Sequence, residues 1–289
     1  MAKIKLITDT ASDLPLKQAE EAGIELLSFS ISLDGESYQE QRDLSKESFF
    51  DLMTHSNEMP STSQITAFTF QEVFQNYYEQ GYTDLIYVSI NAGGSATNQN
   101  AKQARDMLYE EIPEAKSMNI HIIDSGNYTM CYGWPVLKAS EMADNGASVD
   151  EILNYLKQWL SEVGVYFTPM TLKYVKKSGR LTAAAAFAGE MLGLRPIIHI
   201  SHGAISTCEK IRGEKNIVPK LAEKIMNVMK KDSPYLIMQG SNPEPAEQMQ
   251  KLLTEKLGYP PADRVTIGSA VAVNAGHDLV AVIILENQN

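Results

Sequence analysis

The stretch Ser89-Ile-Asn-Ala-Gly-Gly-Ser-Ala-Thr97 constrains this chain more than any other. It follows the apolar run Leu85–Ser89, which reads as a buried strand. It precedes a pattern in which Ala101, Ala104, Met107 and Leu108 recur at helical spacing. A strand therefore enters a glycine-rich turn and leaves it as a helix, the unit of an α/β sheet. The first N–H groups of a helix have no partner inside it and carry partial positive charge, so such a turn suits an anion. Ser95 and Thr97 bring two hydroxyls to it. The spacing fits a helix cap and an anion site alike. It excludes a Walker loop, because no Gly-Lys-Ser/Thr follows, and the dinucleotide fingerprint, because the glycines are adjacent. A nucleophile elbow needs glycines two places either side of the serine; Gly93 meets this and Thr97 does not.

Short apolar runs alternate with helical patterns as far as residue 160. Strands are expected at Ile4–Thr8, Glu25–Leu33, Leu85–Ser89 and Ile120–Asp124. Helices are expected after Pro15, over Lys46–Met53, Thr69–Gln80 and Ser95–Leu108, and over Thr129–Asn145 and Val149–Leu160. This alternation predicts a mostly parallel sheet with helices on both faces. Beyond residue 160 the texture changes. Strands are expected at Val163–Thr168, Ile197–Ser201, Ala204–Thr207 and Tyr235–Gln239. Helices are expected over Leu172–Lys177, an alanine-rich Leu181–Leu192, Asn216–Met229 and Pro245–Leu257. The end, Val265–Ile284, reads as nearly all strand, broken at Asn274–Asp278. The expected organisation is an N-terminal α/β domain, 1–160, and a smaller α/β C-terminal domain, 161–289.

The 25 basic and 36 acidic residues leave a formal charge of −11, a poor basis for nucleic-acid binding. Two cysteines, Cys131 and Cys208, are too few for a disulfide framework and fit a reducing compartment. No apolar run approaches the ~18 residues of a membrane span. The N-terminus lacks a long apolar region with a small-residue cleavage site. A soluble cytoplasmic protein is expected. The five histidines show no metal-ligand spacing, so no metal is expected.

Several local patterns carry chemistry in principle. Asp9 ends the first strand, where ligands gather in open α/β sheets. A haloacid-dehalogenase type of phosphotransferase would want a second Asp two places on, where Ala11 stands. Asp9 and Asp13 read as turn-fixing residues that bond backbone groups. Pro60-Ser-Thr-Ser-Gln64 reads as a turn whose hydroxyls can also donate to a carboxylate. Lys173, Lys176, Lys177 and Arg180 cluster about Ser178-Gly179, as a solvated face does. The small side chains of Leu181–Gly189 suit close packing, and also leave room for an apolar ligand.

Taken in order, these segments resemble the DegV family, whose better-understood members are fatty-acid-binding subunits of bacterial fatty acid kinase. The resemblance rests on Ile7–Pro15, Thr62-Ser63-Gln64, Ser89–Ala101, Ile123-Asp-Ser125, Lys177-Ser-Gly-Arg180, Leu194-Arg-Pro-Ile197 and Lys210-Ile-Arg-Gly213. It implies a two-domain DegV-like fold that holds one long-chain fatty acid as ligand, with no cofactor. The tail would lie in an apolar tunnel in the C-terminal half, with the carboxyl group at the domain interface. The resemblance places Thr62, Ser95, Asn274 and Arg180 at that carboxyl group, and Ser63, Gly94 and Thr97 beside it. Arg212 matches an arginine implicated in docking the kinase subunit, which supplies ATP and metal. Asn274 stands where the family typically has histidine; its amide can donate a hydrogen bond but carries no charge. Gly94 stands where a large apolar residue is common, Arg195 where lysine is usual and Ile65 where proline is usual. The competing readings are a hydrolase or phosphotransferase using Asp9 or Ser95, and a binding module for another small anion.

Overall fold

The structure, a computed structural model, describes residues 2–181 and 193–287. The expected helix Leu181–Leu192 lies outside these residues, save Leu181 itself. The N-terminal half is built on four parallel strands in the order β2-β1-β6-β7, comprising β1 (Ile4–Asp9), β2 (Glu25–Leu27), β6 (Asp84–Ser89) and β7 (Asn119–Asp124). A small antiparallel sheet of β3 (Ser30–Leu33), β4 (Glu36–Gln39) and β5 (Ser61–Ser63) stands beside it. The run Glu25–Leu33 is thus two strands and not one. Between them Phe29 is buried, its N–H bonded to Thr10 Oγ1 at 3.0 Å and its carbonyl to Glu40 N–H at 2.9 Å, which carries the chain from one sheet to the next. The hydroxyl run read as a turn forms β5, pairing Thr62 with Ile31.

The C-terminal half holds a six-stranded mixed sheet, order β10-β9-β8-β13-β11-β12. Its strands are β8 (Val163–Pro169), β9 (Leu194–Ser201), β10 (Ala204–Arg212), β11 (Tyr235–Gln239), β12 (Asp263–Thr266) and β13 (Leu279–Leu285). Only β11 and β12 pair in parallel; all other neighbours are antiparallel. The outer strand β10 has an irregular register between Thr207 and Glu209. Leu279-Val-Ala-Val-Ile-Ile-Leu285 is apolar throughout because both faces of this sheet are covered. Alternate side chains divide between two cores. Val280, Val282 and Ile284 join Tyr166, Ile197 and Ile237 under the helices Ile217–Val228 and Glu244–Leu257. Leu279, Ala281 and Ile283 face the other way and join Val165, Phe167, Ile200 and Met238 in a core continuous with that of the parallel sheet.

The segment expected to be strand through Val273 contains the helix Ser269–Ala275. Its β-branched residues favour strand locally, but the N-terminal half supplies what a helix start requires. Asp13 Oδ1 accepts the Gly268 N–H at 2.7 Å, and Glu40 Oε1 accepts the Ala270 N–H at 2.8 Å. Lys46 Nζ bonds the carbonyls of Thr266, at 2.7 Å, and Asp13, at 3.3 Å. Asp13 and Glu40 are both buried. A Cβ on Gly268 would lie 2.5 Å from Asp13 Oδ1 and 2.7 Å from Glu40 Oε1, so any other residue there must push these carboxylates off the helix start.

Burial pushes Asp13 up to about 6 and Glu40 up to about 7, against the opposing pull of Lys46 and of the hydrogen bonds they accept. A carboxyl that holds its proton more tightly folded than unfolded adds stability below its unfolded pKa, and that stability is lost as pH rises through the folded value. For Glu40 the window runs from 4.5 to about 7. The melting temperature of Glu40→Gln relative to the natural chain should therefore fall by roughly a few degrees as pH is lowered from about 7.5 to 5. A gap that does not move with pH would contradict this. Gly268→Ala should lower the melting temperature by roughly 5 °C at any pH, the cost of an overpacked contact.

Candidate functional site

An apolar cavity lies between the inner face of the large sheet and the carboxyl ends of the parallel strands. Its empty space, mouth included, is about 1000 Å³. The sheet contributes Val165, Phe167, Ile200, Met238, Leu279 and Ala281, and the carboxylate-capped helix contributes Ala270, Val271, Asn274 and Ala275. Ala281 pairs across the sheet with Phe167 and Met238, so a small side chain sits between two large ones on the cavity wall.

Loops of the N-terminal half contribute several of the lining residues. Ala11 follows β1, Phe29 follows β2, Gly94 and Ser95 follow β6, and Tyr128 and Thr129 follow β7. All six lie beyond the carboxyl ends of parallel strands, where open α/β sheets bind ligands. Thr62 and Gln64 reach the cavity from β5 and the residues after it, and Arg180 from the turn after the helix Lys173–Ser178. Gly179, at φ +67°, reverses the chain there. Arg180 is the one charged side chain among the described lining residues.

The structure brings together Thr62, Gly94, Ser95, Arg180 and Asn274 as lining residues. The helix after β6 begins at Thr97, with Ala96 as its first flanking residue. Ser95 Oγ lies 2.8 Å from Thr97 Oγ1 and accepts the Thr97 N–H at 3.3 Å. Thr97 is buried behind Ser95 and does not itself line the cavity. Ser63 is exposed on β5 and does not line it either. Asn274 Nδ2 donates to Ala270 O at 3.1 Å within its own helix. Arg180 donates from its guanidinium to Ser178 O at 3.1 Å. Arg212 is exposed at the end of β10, outside the cavity, paired with Leu194.

Asp9 is buried and fully engaged. Its carboxylate accepts from the Tyr132 hydroxyl at 2.6 Å, the Tyr87 hydroxyl at 2.9 Å and the Ile90 N–H at 3.1 Å. Burial raises it to about 6, the hydrogen bonds it accepts pulling the other way. It ties β1 to β6 and to the helix after β7, and is not a lining residue. Ser95's partners are the hydroxyl and amide of Thr97, neither of them a base. Among the described residues no group of three or more His, Cys, Asp or Glu can hold a metal ion.

Sequence reasoning missed Tyr128, Thr129, Gln64 and Phe29 as lining residues. The signal was present for three of them, Phe29, Tyr128 and Thr129: residues just past a strand of a parallel sheet are candidates by position alone. Gly94 was a second signal, since a Cβ there would collide with Tyr128 Oη and lie 3.1 Å from Tyr128 Cζ.

The sequence profile of the DegV family, described as uncharacterised, matches residues 3–287. This chain belongs to the DegV family. A DegV domain-containing protein of Clostridium perfringens is 32% identical over 227 residues, 78% of each chain. A fatty acid binding DegV family protein of Streptococcus agalactiae has a solved structure with TM-score 0.86, 27% identity and coverage of 100% of both chains. A stearic acid-binding protein of Eubacterium ventriosum shares the fold, with TM-score 0.87 at 23% identity, over 99% of this chain and 98% of that one. The mixed α/β architecture of this DegV chain is therefore that of solved family members along its whole length.

Asp9→Ala strands two buried tyrosine hydroxyls and one buried amide in this DegV chain. It should cost about 3 kcal/mol of unfolding free energy, measured by denaturant titration. A loss under about 1 kcal/mol would mean that Asp9 is not the tie described.

Proposed function

We propose that this chain binds one long-chain fatty acid and presents its carboxyl group, in the cytoplasm, to an ATP-dependent fatty acid kinase subunit for acyl-phosphate formation. The observation that carries the reading is the cavity itself: apolar along the sheet, polar at the loops, and reaching both Thr62 and Ser95. A solid interior would have removed it. The fatty-acid-binding relatives of the same fold support it. In this proposal Thr62, Ser95, Asn274 and Arg180 bind the carboxyl group, Gly94 shapes its surroundings, and Ser63 and Thr97 stand beside it. Residues 1–160 and 161–289 act as two domains, the first carrying most of the head-group loops and the second most of the tail wall. The partner supplies ATP, a carboxylate oxygen of the lipid takes the terminal phosphoryl group, and ADP leaves. Exposed Arg212 is the docking residue of the proposal.

The energetics favour the tail over the head. Burying a methylene contributes ~0.8 kcal/mol, so about fifteen would contribute roughly 12 kcal/mol before ordering costs. One hydroxyl at the head contributes about 1 kcal/mol. Mass spectrometry of lipid extracted from the purified chain should find fatty acid at one per chain; empty protein that also refuses added palmitate and oleate would sink the reading. Shortening the acid by two methylenes should weaken binding about tenfold. Ala281→Phe puts a ring into the cavity wall, and should abolish binding of the longest acids while circular dichroism stays unchanged. Arg212→Ala should leave lipid binding intact and weaken acyl-phosphate formation with the kinase; loss of both together would place Arg212 in the lipid site or the scaffold.

A further inference from the structure

Tyr128 sits on the loop after β7 and lines the cavity with Ser95, Thr62 and Arg180. Its position is set on two sides. Buried Asn91 donates from Nδ2 to Tyr128 Oη at 3.2 Å. Asn91 is itself held: its Oδ1 accepts the Gly93 N–H at 3.0 Å, and its N–H donates to Asn127 O at 2.9 Å. On the second side, Gly94 leaves the space that the phenol fills; any side chain at 94 would strike Oη. A phenol has one proton to give and lone pairs to receive. The receiving side takes the Asn91 amide. Among the described residues no acceptor takes the proton. The hydroxyl is thus a held, unspent donor in a cavity whose one charged lining group among the described residues is Arg180.

We propose that Tyr128 is a head-group ligand whose hydroxyl donates to a carboxylate oxygen of the bound fatty acid, and that Gly94 is the residue that admits it. The assignment rests on the lipid-binding reading above. It adds a donor that Thr62, Ser95, Asn274 and Arg180 leave out, and it joins the Gly94 departure to a compensating side chain on another loop. Burial holds the phenol above its ordinary range, so it keeps its proton at neutral pH. A phenol donating to a charged carboxylate makes a stronger bond than one donating to a neutral ester carbonyl. Selectivity for the ionised acid over its ester is therefore the property that Tyr128 supplies.

The test is titration of the full chain, freed of bound lipid, with oleic acid and with methyl oleate. Tyr128→Phe should weaken oleate binding roughly tenfold, the worth of one charge-assisted hydrogen bond, and methyl oleate binding by less than about twofold. Gly94→Ala should weaken oleate at least as much, because its Cβ displaces the hydroxyl. The double variant Gly94→Ala/Tyr128→Phe should bind oleate no worse than Tyr128→Phe alone, since the displaced atom is gone. Melting curves confirm that each variant is folded. Equal losses for acid and ester, or no loss, would make Tyr128 a structural residue and overturn the assignment, even if Gly94→Ala fails to fold. Additive losses in the double variant would overturn the role given to Gly94. In each case natural protein that still takes oleate leaves the lipid-binding reading standing. Folded natural protein that takes neither ligand overturns both.

Discussion

Two buried carboxylates from the N-terminal half meet the first amides of a short helix in the C-terminal half, and the cavity depends on that meeting. The helix Ser269–Ala275 supplies four lining residues, Asn274 among them. At seven residues it is too short to hold itself together. Its start is organised by Asp13 and Glu40, with Lys46 bonding the carbonyls on either side. The helix that lines the cavity is thus also the element at which the two halves are joined. Any shift between the halves changes the shape of the ligand space, because one wall belongs to each.

The arrangement has an electrostatic cost that the fold accepts. Burying carboxylates disfavours their charged forms, which is why Asp9, Asp13 and Glu40 all sit above the ordinary carboxylate range. Each is compensated differently. Asp9 has two tyrosine hydroxyls and an amide, Asp13 has the charge of Lys46 with a threonine hydroxyl and an amide, and Glu40 has the Thr10 hydroxyl and an amide, with Lys46 adding less. The acidic opening segment that reads as a turn-fixing device therefore does more than fix its own turn. Asp13 reaches 255 residues along the chain to Gly268.

Much of the parallel sheet was legible in the sequence, because Ile4–Thr8, Leu85–Ser89 and Ile120–Asp124 are short apolar runs followed by helical patterns. The strand–turn–helix about Ser95 was legible for the same reason, although its helix starts two residues later than the hydroxyl pattern suggests. What misled was local propensity. Val271 and Val273 favour strand, and nothing near them in sequence announces the carboxylates that make them helical. Likewise Glu25–Leu33 reads as continuous because apolar residues recur from Leu26 to Leu33; the break at Phe29 is decided by Thr10 and Glu40, from other parts of the chain. Ser95 was legible from the spacing as an anion-site candidate, and the Thr62 loop as a set of hydroxyl donors, whereas Arg180 and Asn274 were reached through resemblance alone. Tyr128 escaped because its neighbour at the site, Gly94, is 34 residues away and speaks only through an absent side chain.

The irregular register in β10 has a consequence for how copies of this chain coexist. A nine-residue outer strand with alternating exposed residues is the kind of border to which another strand can add. The offset between Thr207 and Glu209 interrupts that border, and Glu209, Lys210 and Arg212 place charge along what remains. The opposite border, β12, is only four residues long. Both borders of the sheet are thereby poor templates for edge-to-edge growth.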